Sequence, residues 1–310
     1  MPMWAWILFY ALVIVMLYAD LKLFGRKGQH EVNISEALKM TAVWIIVSLI
    51  FCGGIWYFEG DNKAMEFLAG YLIEKSLSMD NLFVFLMLFS FFGVQRKYQH
   101  EVLFWGIFGA LILRSIFIFA GAAMVQRFEW ILGVFGVFLI YTGIKMFSHK
   151  DDESVDPSKN IFVKLFKKFF PVTDQMHEDK FFIVEQGKRL ATPLFIALLV
   201  IETTDVAFAV DSIPAVFSVS RDPFIVLTSN IFAILGLRAL YFALAAVAKY
   251  FKYLKYGLGI ILSFVGVKML LDLFGIYEVP TWMSLLIIFG ILVLSMLASY
   301  VATLYSRKRQ

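Results

Sequence analysis

The sequence is poor in the residues that soluble enzymes use for chemistry. Cys52 is its single cysteine, which excludes an intrachain disulfide, a CxxC redox pair and a four-cysteine metal site. The four histidines, His30, His100, His149 and His177, are all placed by pattern in loops, so neither haem nor a buried histidine-based zinc site is expected. Charge is scarce as well, at 17% of residues against 61% hydrophobic, which is far from a soluble globular composition. Four runs contain no charge at all: Trp4–Ala19, Met40–Phe58, Trp130–Ile144 and Val279–Tyr305. They match the roughly 20 residues that cross a bilayer at about 1.5 Å per residue. The first run is expected to stay as a helix and not to be cleaved as a signal peptide. Its basic residues follow the apolar stretch, and no small-residue cleavage pattern closes it. A net charge of +4 does not point to nucleic acid here, because the basic residues sit in short loops.

Nine spans are predicted, near 4–20, 40–58, 64–93, 101–126, 129–147, 190–219, 223–248, 254–274 and 281–304, giving an all-α polytopic membrane protein. Alternate connections carry Lys22, Arg26, Lys27 and Lys39; Arg96 and Lys97; the basic 149–189 segment; Lys249, Lys252 and Lys255; and the tail Arg307, Lys308 and Arg309. The opposite connections hold Lys63, Arg127 and Arg221 beside six acids. Basic loops stay inside, so the N-terminus is expected outside the plasma (inner) membrane and the C-terminus in the cytoplasm. Within 149–189, the stretch 150–160 reads as an exposed loop, and 161–172 (IFVKLFKKFFPV) as an interfacial amphipathic helix or a solvated linker.

A weak internal repeat runs in order along the chain. Gly136, Gly143, Lys145 and Met146 match Gly259, Gly266, Lys268 and Met269 at a constant offset, with Arg114 matching Arg238 and Asp80 matching Asp205. The unit is three spans, so the two copies are expected in inverted orientation with a site at their interface. The resulting division is 1–63 (two helices), 64–148 (first repeat), 149–189 (cytoplasmic loop), 190–274 (second repeat) and 275–310 (last helix and tail). The glycines of spans 5 and 8 read as close helix packing, and Lys145 and Lys268 as lysines that snorkel to the interface.

Against this apolar background two acidic motifs stand out, EKSLSMDN at 74–81 and ETTDVAFAVDS at 202–212. Intramembrane carboxylates are costly unless they pair, neutralise or bind a cation. Helical spacing puts Glu74, Ser78 and Asn81 on one stripe and Glu202, Asp205 and Ser212 on another, with Asp80 and Asp211 turned away and Asp211 over Thr204. Pro214 cannot donate to the Val210 carbonyl, so a break beside Asp211 is expected to turn both faces toward one ion. Carboxylate, hydroxyl and amide oxygens suit hard divalent ions such as Mn²⁺, Mg²⁺ or Ca²⁺. Set against Lys75, Arg114 and Arg238, the five acids leave two negative charges, one divalent ion's worth. The competing reading is helix-to-helix glue, with Glu74 or Asp80 on Arg238 and Glu202 or Asp211 on Arg114. Thr228 and Asn230 are weaker polar candidates.

The segments EKSLSMDNLFVF, FGALILRSIFIF, GIKMF, ETTDVAFAVDSIPAVF and SNIFAILGLRALYF resemble the TerC family of integral membrane proteins, over about 36–305, with the pattern of its Alx-like bacterial members. That family takes its name from tellurium-resistance loci. Several bacterial members are associated with manganese efflux, and its fold is related to the LysE superfamily of exporters. The resemblance implies Mn²⁺ export and a metal site on Glu74, Asp80, Asn81, Glu202, Asp205 and Asp211, supported by Lys75, Ser78, Thr204, Ser212, Arg114 and Arg238.

The function expected is therefore not enzymatic. It is secondary transport of Mn²⁺ out of the cytoplasm, with proton exchange on the same carboxylates as one available coupling and no permanently bound cofactor. Direct ATP drive is not expected without a phosphate-binding loop. The alternatives are a membrane partner that assembles or loads exported proteins through 149–189, and a redox modulator.

Overall fold

Apolar residues on every side of a segment leave a helix as the structure that satisfies its own backbone in lipid. The chain follows that rule. A computed structural model describes residues 3–25, 34–128, 130–148, 161–173, 175, 177, 180–185, 187–247 and 254–307, without the side chains of 21–25, 80, 83, 148, 211, 246, 247, 254, 255 and 303–307. The helices are α1 (Met3–Gly25), α2 (Ile34–Glu59), α3 (Asp61–Phe91), α4 (Arg96–Arg127), α5 (Trp130–Ser148), α6 (Ile161–Phe169), α7 (Pro193–Phe217), α8 (Pro223–Ile234), α9 (Leu237–Val247), α10 (Leu254–Leu273) and α11 (Thr281–Arg307). Among the described residues seven helices are long and apolar enough to cross a membrane, or eight if α8 and α9, bent by 40° at their junction, form one span. The chain is thus an all-α polytopic membrane protein. The stretch 150–160 lies outside the described residues.

Local chemistry sets several of these ends. Pro193 and Pro223 each start a helix, where a missing N–H is harmless and the fixed φ suits the first turn. Asp222 caps α8 by accepting a hydrogen bond from the Phe224 N–H at 2.9 Å, satisfying one of the free donors there. Two expectations need correcting. Helix α7 runs unbroken through Pro214 to Phe217, so the expected break is not there. Pro214 falls in the last turn, where one lost bond does not open the helix. The break comes instead at Gly236, whose φ of 83° is a left-handed conformation that favours glycine. Nor is His100 in a loop, since it lies in the first turns of α4.

The polar stretch before α7 also holds a hairpin that periodicity did not reveal. Strand β1 (Phe182–Glu185) pairs antiparallel with β2 (Lys188–Ala191), Phe182 opposite Ala191 and Glu185 opposite Lys188. Its Phe182 ring packs 4.5 Å from Phe195 of α7, and Phe166 of α6 lies 5.1 Å from the same ring. Helix α6 and the hairpin are thereby fastened to the start of α7.

Helices α3, α4, α7 and α8 form the centre. Helix α3 lies against α8 as α4 lies against α7, and α5 and α10 make the most extensive pair. Glycines allow that last approach. A methyl group on Gly136 would sit 3.0 Å from the Gly266 carbonyl oxygen, and one on Gly259 would sit 2.8 Å from that of Gly143. The converse contacts, Gly143 on Gly259 and Gly266 on Gly136, are 2.6 and 2.5 Å. Even the side chains follow suit: Gly136 meets Leu270 as Gly259 meets Phe147, and Gly143 meets Ser263 as Gly266 meets Ile140. Outside the centre, α1 and α2 join through an aromatic cluster in which Phe51 and Phe232 lie 4.5 Å apart and Trp6 and Phe224 4.9 Å apart.

Candidate functional site

Two charged motifs cannot stay in a helical interior without donors, and the structure shows where the donors come from. Glu74 of α3 is fully buried, and Arg114 of α4 is 1% exposed. The Arg114 guanidinium donates to Glu74 Oε1. It also grips Asp205 of α7 in a two-pronged fork, Nη2 to Oδ1 at 2.8 Å and Nε to Oδ2 at 3.1 Å. Such a fork matches planar guanidinium to planar carboxylate and is the strongest form of this pair. Ser212 Oγ accepts from the same guanidinium at 3.5 Å. Glu74 takes two further donors, Ser78 Oγ at 3.1 Å and Asn230 Nδ2 of α8 at 2.9 Å. One arginine thus ties α3, α4 and α7 together, and Asn230 brings in α8.

Two oxygens in this region remain unsatisfied. Glu202 Oε2 and Asn230 Oδ1 are buried and accept no hydrogen bond among the described residues. Glu202 lies on Gly109 of α4, where a Cβ would overlap its carboxylate. Buried acceptors without donors are rare in folded proteins, because each forfeits its hydration for nothing. Asn81 is buried on α3. Thr204, half-buried, spends its hydroxyl on the Val200 carbonyl of its own helix at 2.7 Å. Asp80 and Asp211 belong to α3 and α7 by backbone, and their side chains lie outside those described. Among the described residues no three histidine, cysteine or carboxylate groups converge tightly enough to hold a metal ion.

The other two cations expected at the site have partners elsewhere. Lys75 donates to the Ala233 carbonyl at 3.0 Å. That carbonyl sits three residues before Gly236, where the break between α8 and α9 interrupts the helical bonding. Arg238 donates to Asp20 of α1 at 3.0 Å and lies 3.3 Å from His100 Nδ1 of α4. Among the described residues, Arg114 is the one of these three cations seen on the motif acids. Lys268, expected to snorkel, is 8% exposed. Sequence reasoning missed Asp20 and ranked Asn230 too low. Asp20 carried the usual signal of an acid ending an apolar run, whereas a neutral amide carries none.

Relatives fit this picture. The chain is 48% identical over 96% of its length to "Uncharacterized membrane protein STKORF319" of Myxococcus xanthus, covering 92% of that protein. It is 48% identical over 93% of its length to "Putative membrane-bound redox modulator Alx" of Escherichia coli K12, covering 91% of it. An "Uncharacterized membrane protein" of Rickettsia bellii is 39% identical over 96% of the chain and 97% of its own length. No solved structure matches. With residues 59–309 matching the profile described as "Integral membrane protein TerC family", the chain belongs to that family.

Proposed function

We propose that this protein is a secondary transporter that exports a divalent cation, Mn²⁺ in the first place, from the cytoplasm. One observation carries the reading. The membrane interior holds a cluster on four helices in which Glu74 and Asp205 share Arg114, while Glu202 Oε2 and Asn230 Oδ1 have no donor among the described residues. Packing alone gains nothing from uncommitted acceptors in hydrocarbon. A hard cation gains from them. In this reading Glu74, Asp80, Asn81, Glu202, Asp205 and Asp211 supply the ligands, and Arg114 is the internal counter-charge that the ion displaces. Carboxylates must be deprotonated to ligate, so ion binding releases protons and one set of oxygens serves both cargoes in turn.

The architecture supports the same reading. Repeat-related glycines of α5 and α10 touch reciprocally, Gly136 with Gly266 and Gly143 with Gly259, as two copies do about a two-fold axis. The paired indices run in opposite directions, which supports inverted copies about an axis in the membrane plane. Helix α3 is 31 residues long with six charges, and in this reading it is a ninth crossing beside the seven, or eight with the bent pair as one, that are apolar enough to span. With nine crossings, this reading has the basic connections, α6 and the tail in the cytoplasm and the N-terminus outside.

Purified protein in liposomes tests the proposal. It should move Mn²⁺ across the bilayer, and Asp80→Ala, Asp205→Ala and Asp211→Ala should each abolish the flux while the protein remains inserted. The second reading, an assembly partner, rests on the exposed Phe162, Phe169 and Val184 of α6 and the hairpin. It predicts no flux from the wild-type protein, and that result would sink transport.

A further inference from the structure

Helix α6, nine residues long, is too short to cross a bilayer, yet two of its three faces are apolar. At about 100° per residue, Val163, Phe166 and the following Phe170 point one way. Ile161, Phe162, Leu165 and Phe169 point a second way, and Lys164, Lys167 and Lys168 a third. The first face is spent on the protein. Val163 is buried, Phe166 packs on Phe195 of α7 at 5.1 Å between ring centroids, and Phe170 packs on Phe182 of β1 at 5.8 Å. The second face is not. Ile161 and Phe169 are 74% and 77% exposed, and Phe162 and Leu165 more than half. The three lysines are exposed as well, and the helix contains no acid to pair with them.

Attachment to α7 sets the height of this helix relative to the bilayer. Phe195 is the third residue of α7, a helix long and apolar enough to cross from Pro193 onward. Its 25 residues measure about 37 Å against a hydrocarbon core of about 30 Å, so its first turn reaches the headgroups and carries α6 with it. The hairpin continues the surface. Val184 of β1 is 70% exposed and lies opposite Arg189 of β2, so an apolar side chain and a cation stand side by side on the strand face that also carries Phe182. Residues 150–160 contain Val155 as their one large apolar residue, too little to cover such a face.

We propose that α6 and the hairpin form a docking surface for anionic phospholipid, in the leaflet where α7 begins. The exposed apolar side chains enter the acyl region beside α7, while the lysines and Arg189 stay level with the lipid phosphates. Apolar exposure alone would suit a protein partner equally well. Two observations select lipid: the height fixed by Phe195, and the adjoining row of lysines without an acid, which complements a negatively charged surface. A neutral leaflet offers those lysines no counter-charge. The dock holds the start of the helix that carries Glu202 and Asp205, and it stands whether or not that helix carries an ion.

Spin labels test the dock in the full chain. In a Cys52→Ser background, a label at Leu165→Cys or Phe169→Cys is read by power saturation with oxygen, which partitions into lipid, and with a nickel chelate, which stays in water. The protein is placed in vesicles of phosphatidylcholine, without or with phosphatidylglycerol. The ratio of oxygen to nickel accessibility should be several-fold higher in the anionic vesicles. Lys164→Gln, Lys167→Gln and Lys168→Gln together should abolish that rise, at about fivefold in surface affinity per lysine, with the amount of inserted protein and its melting temperature unchanged. The corresponding triple arginine variant should keep it. Labels open to nickel in both kinds of vesicle would overturn the dock, as would lipid burial indifferent to phosphatidylglycerol and to the three lysines. Labels shielded from both reagents in native membranes, but open to nickel in the anionic vesicles, would give the face to a protein partner and overturn the lipid assignment.

Discussion

Arg114 and Arg238 are each 1% exposed and do different work. Arg114 belongs to an unbroken helix and holds two carboxylates, one from α3 and one from α7. Arg238 follows the break at Gly236 and, among the described residues, pairs with Asp20 of α1 and lies beside His100 of α4. The first arginine is buried among groups that the two halves share. The second fastens an accessory helix to the second half. Two equally buried arginines thus serve different ends, one in the centre and one toward an accessory helix, so a buried arginine's role must be read from its partners.

The sharpest way to break that comparison is to remove each arginine alone and then together with its acids. Arg114→Leu leaves Glu74 and Asp205 uncompensated, at a cost of about 3–5 kcal/mol, so folded protein and Mn²⁺ flux should both collapse. Arg238→Leu removes the partner of a single described carboxylate, Asp20, and should sit at about 3 kcal/mol, the lower end of that range. Neutralising the partners should then separate the two sites, because replacing every member of a buried pair by uncharged groups is often nearly neutral for stability. Glu74→Gln, Arg114→Leu and Asp205→Asn in one chain should restore the amount of folded protein in the membrane but not the flux. Asp20→Leu with Arg238→Leu should restore both. Recovery of flux in the Arg114 combination would make that cluster glue and leave the transport reading without its site.

A smaller effect probes the break that sets the halves apart. Gly236→Ala places a methyl group 2.6 Å from the Trp44 ring of α2 in a backbone conformation with φ of 83°. The left-handed conformation alone costs about 1–2 kcal/mol for a residue with a Cβ, and Trp44 has to move as well. The melting temperature should fall by several degrees. Gly109→Ala, on the unbroken helix α4, offers the contrast: its methyl group meets the Glu202 carboxylate, so its effect should fall on flux at least as heavily as on stability. Equal loss of flux per folded molecule in the two variants would show that the break belongs to the transport path and not to the scaffold.

How much of this was visible beforehand follows from the same physics. The acids at 74 and 202–205 were legible because charge in an apolar run is conspicuous whatever the fold, but their pairing was not: Glu74 was matched with Arg238 and Glu202 with Arg114, whereas Arg114 holds Glu74 and Asp205. The helices were legible for the converse reason, that uniform apolarity leaves few alternatives. The break was assigned to Pro214 when it lies at Gly236, because the conformation at Gly236 is made alongside Trp44, a contact remote in sequence. Lys75 was counted toward the acids, but its partner is the Ala233 carbonyl beside that break, and no spacing rule anticipates such a partner. The hairpin at 182–191 was hidden by its shortness and by the polar segment around it.

The smallest expected effect concerns Cys52, on the scaffold helix that also supplies Trp44. The name carried by the E. coli relative points to redox chemistry, and if any thiol serves such a role here it is this one. Cys52 is half-buried, and its thiol donates weakly to the Ala64 carbonyl at 3.5 Å. Serine keeps a donor of similar size at that point, so Cys52→Ser should change stability by about 1 kcal/mol or less. A dithiol cycle within one chain needs a second cysteine, which the sequence does not contain. Cells carrying Cys52→Ser should therefore tolerate manganese as the wild type does, and liposome flux should be unchanged. Loss of tolerance with normal amounts of inserted protein would move the function away from Arg114, onto the scaffold side of the molecule and into thiol chemistry between chains.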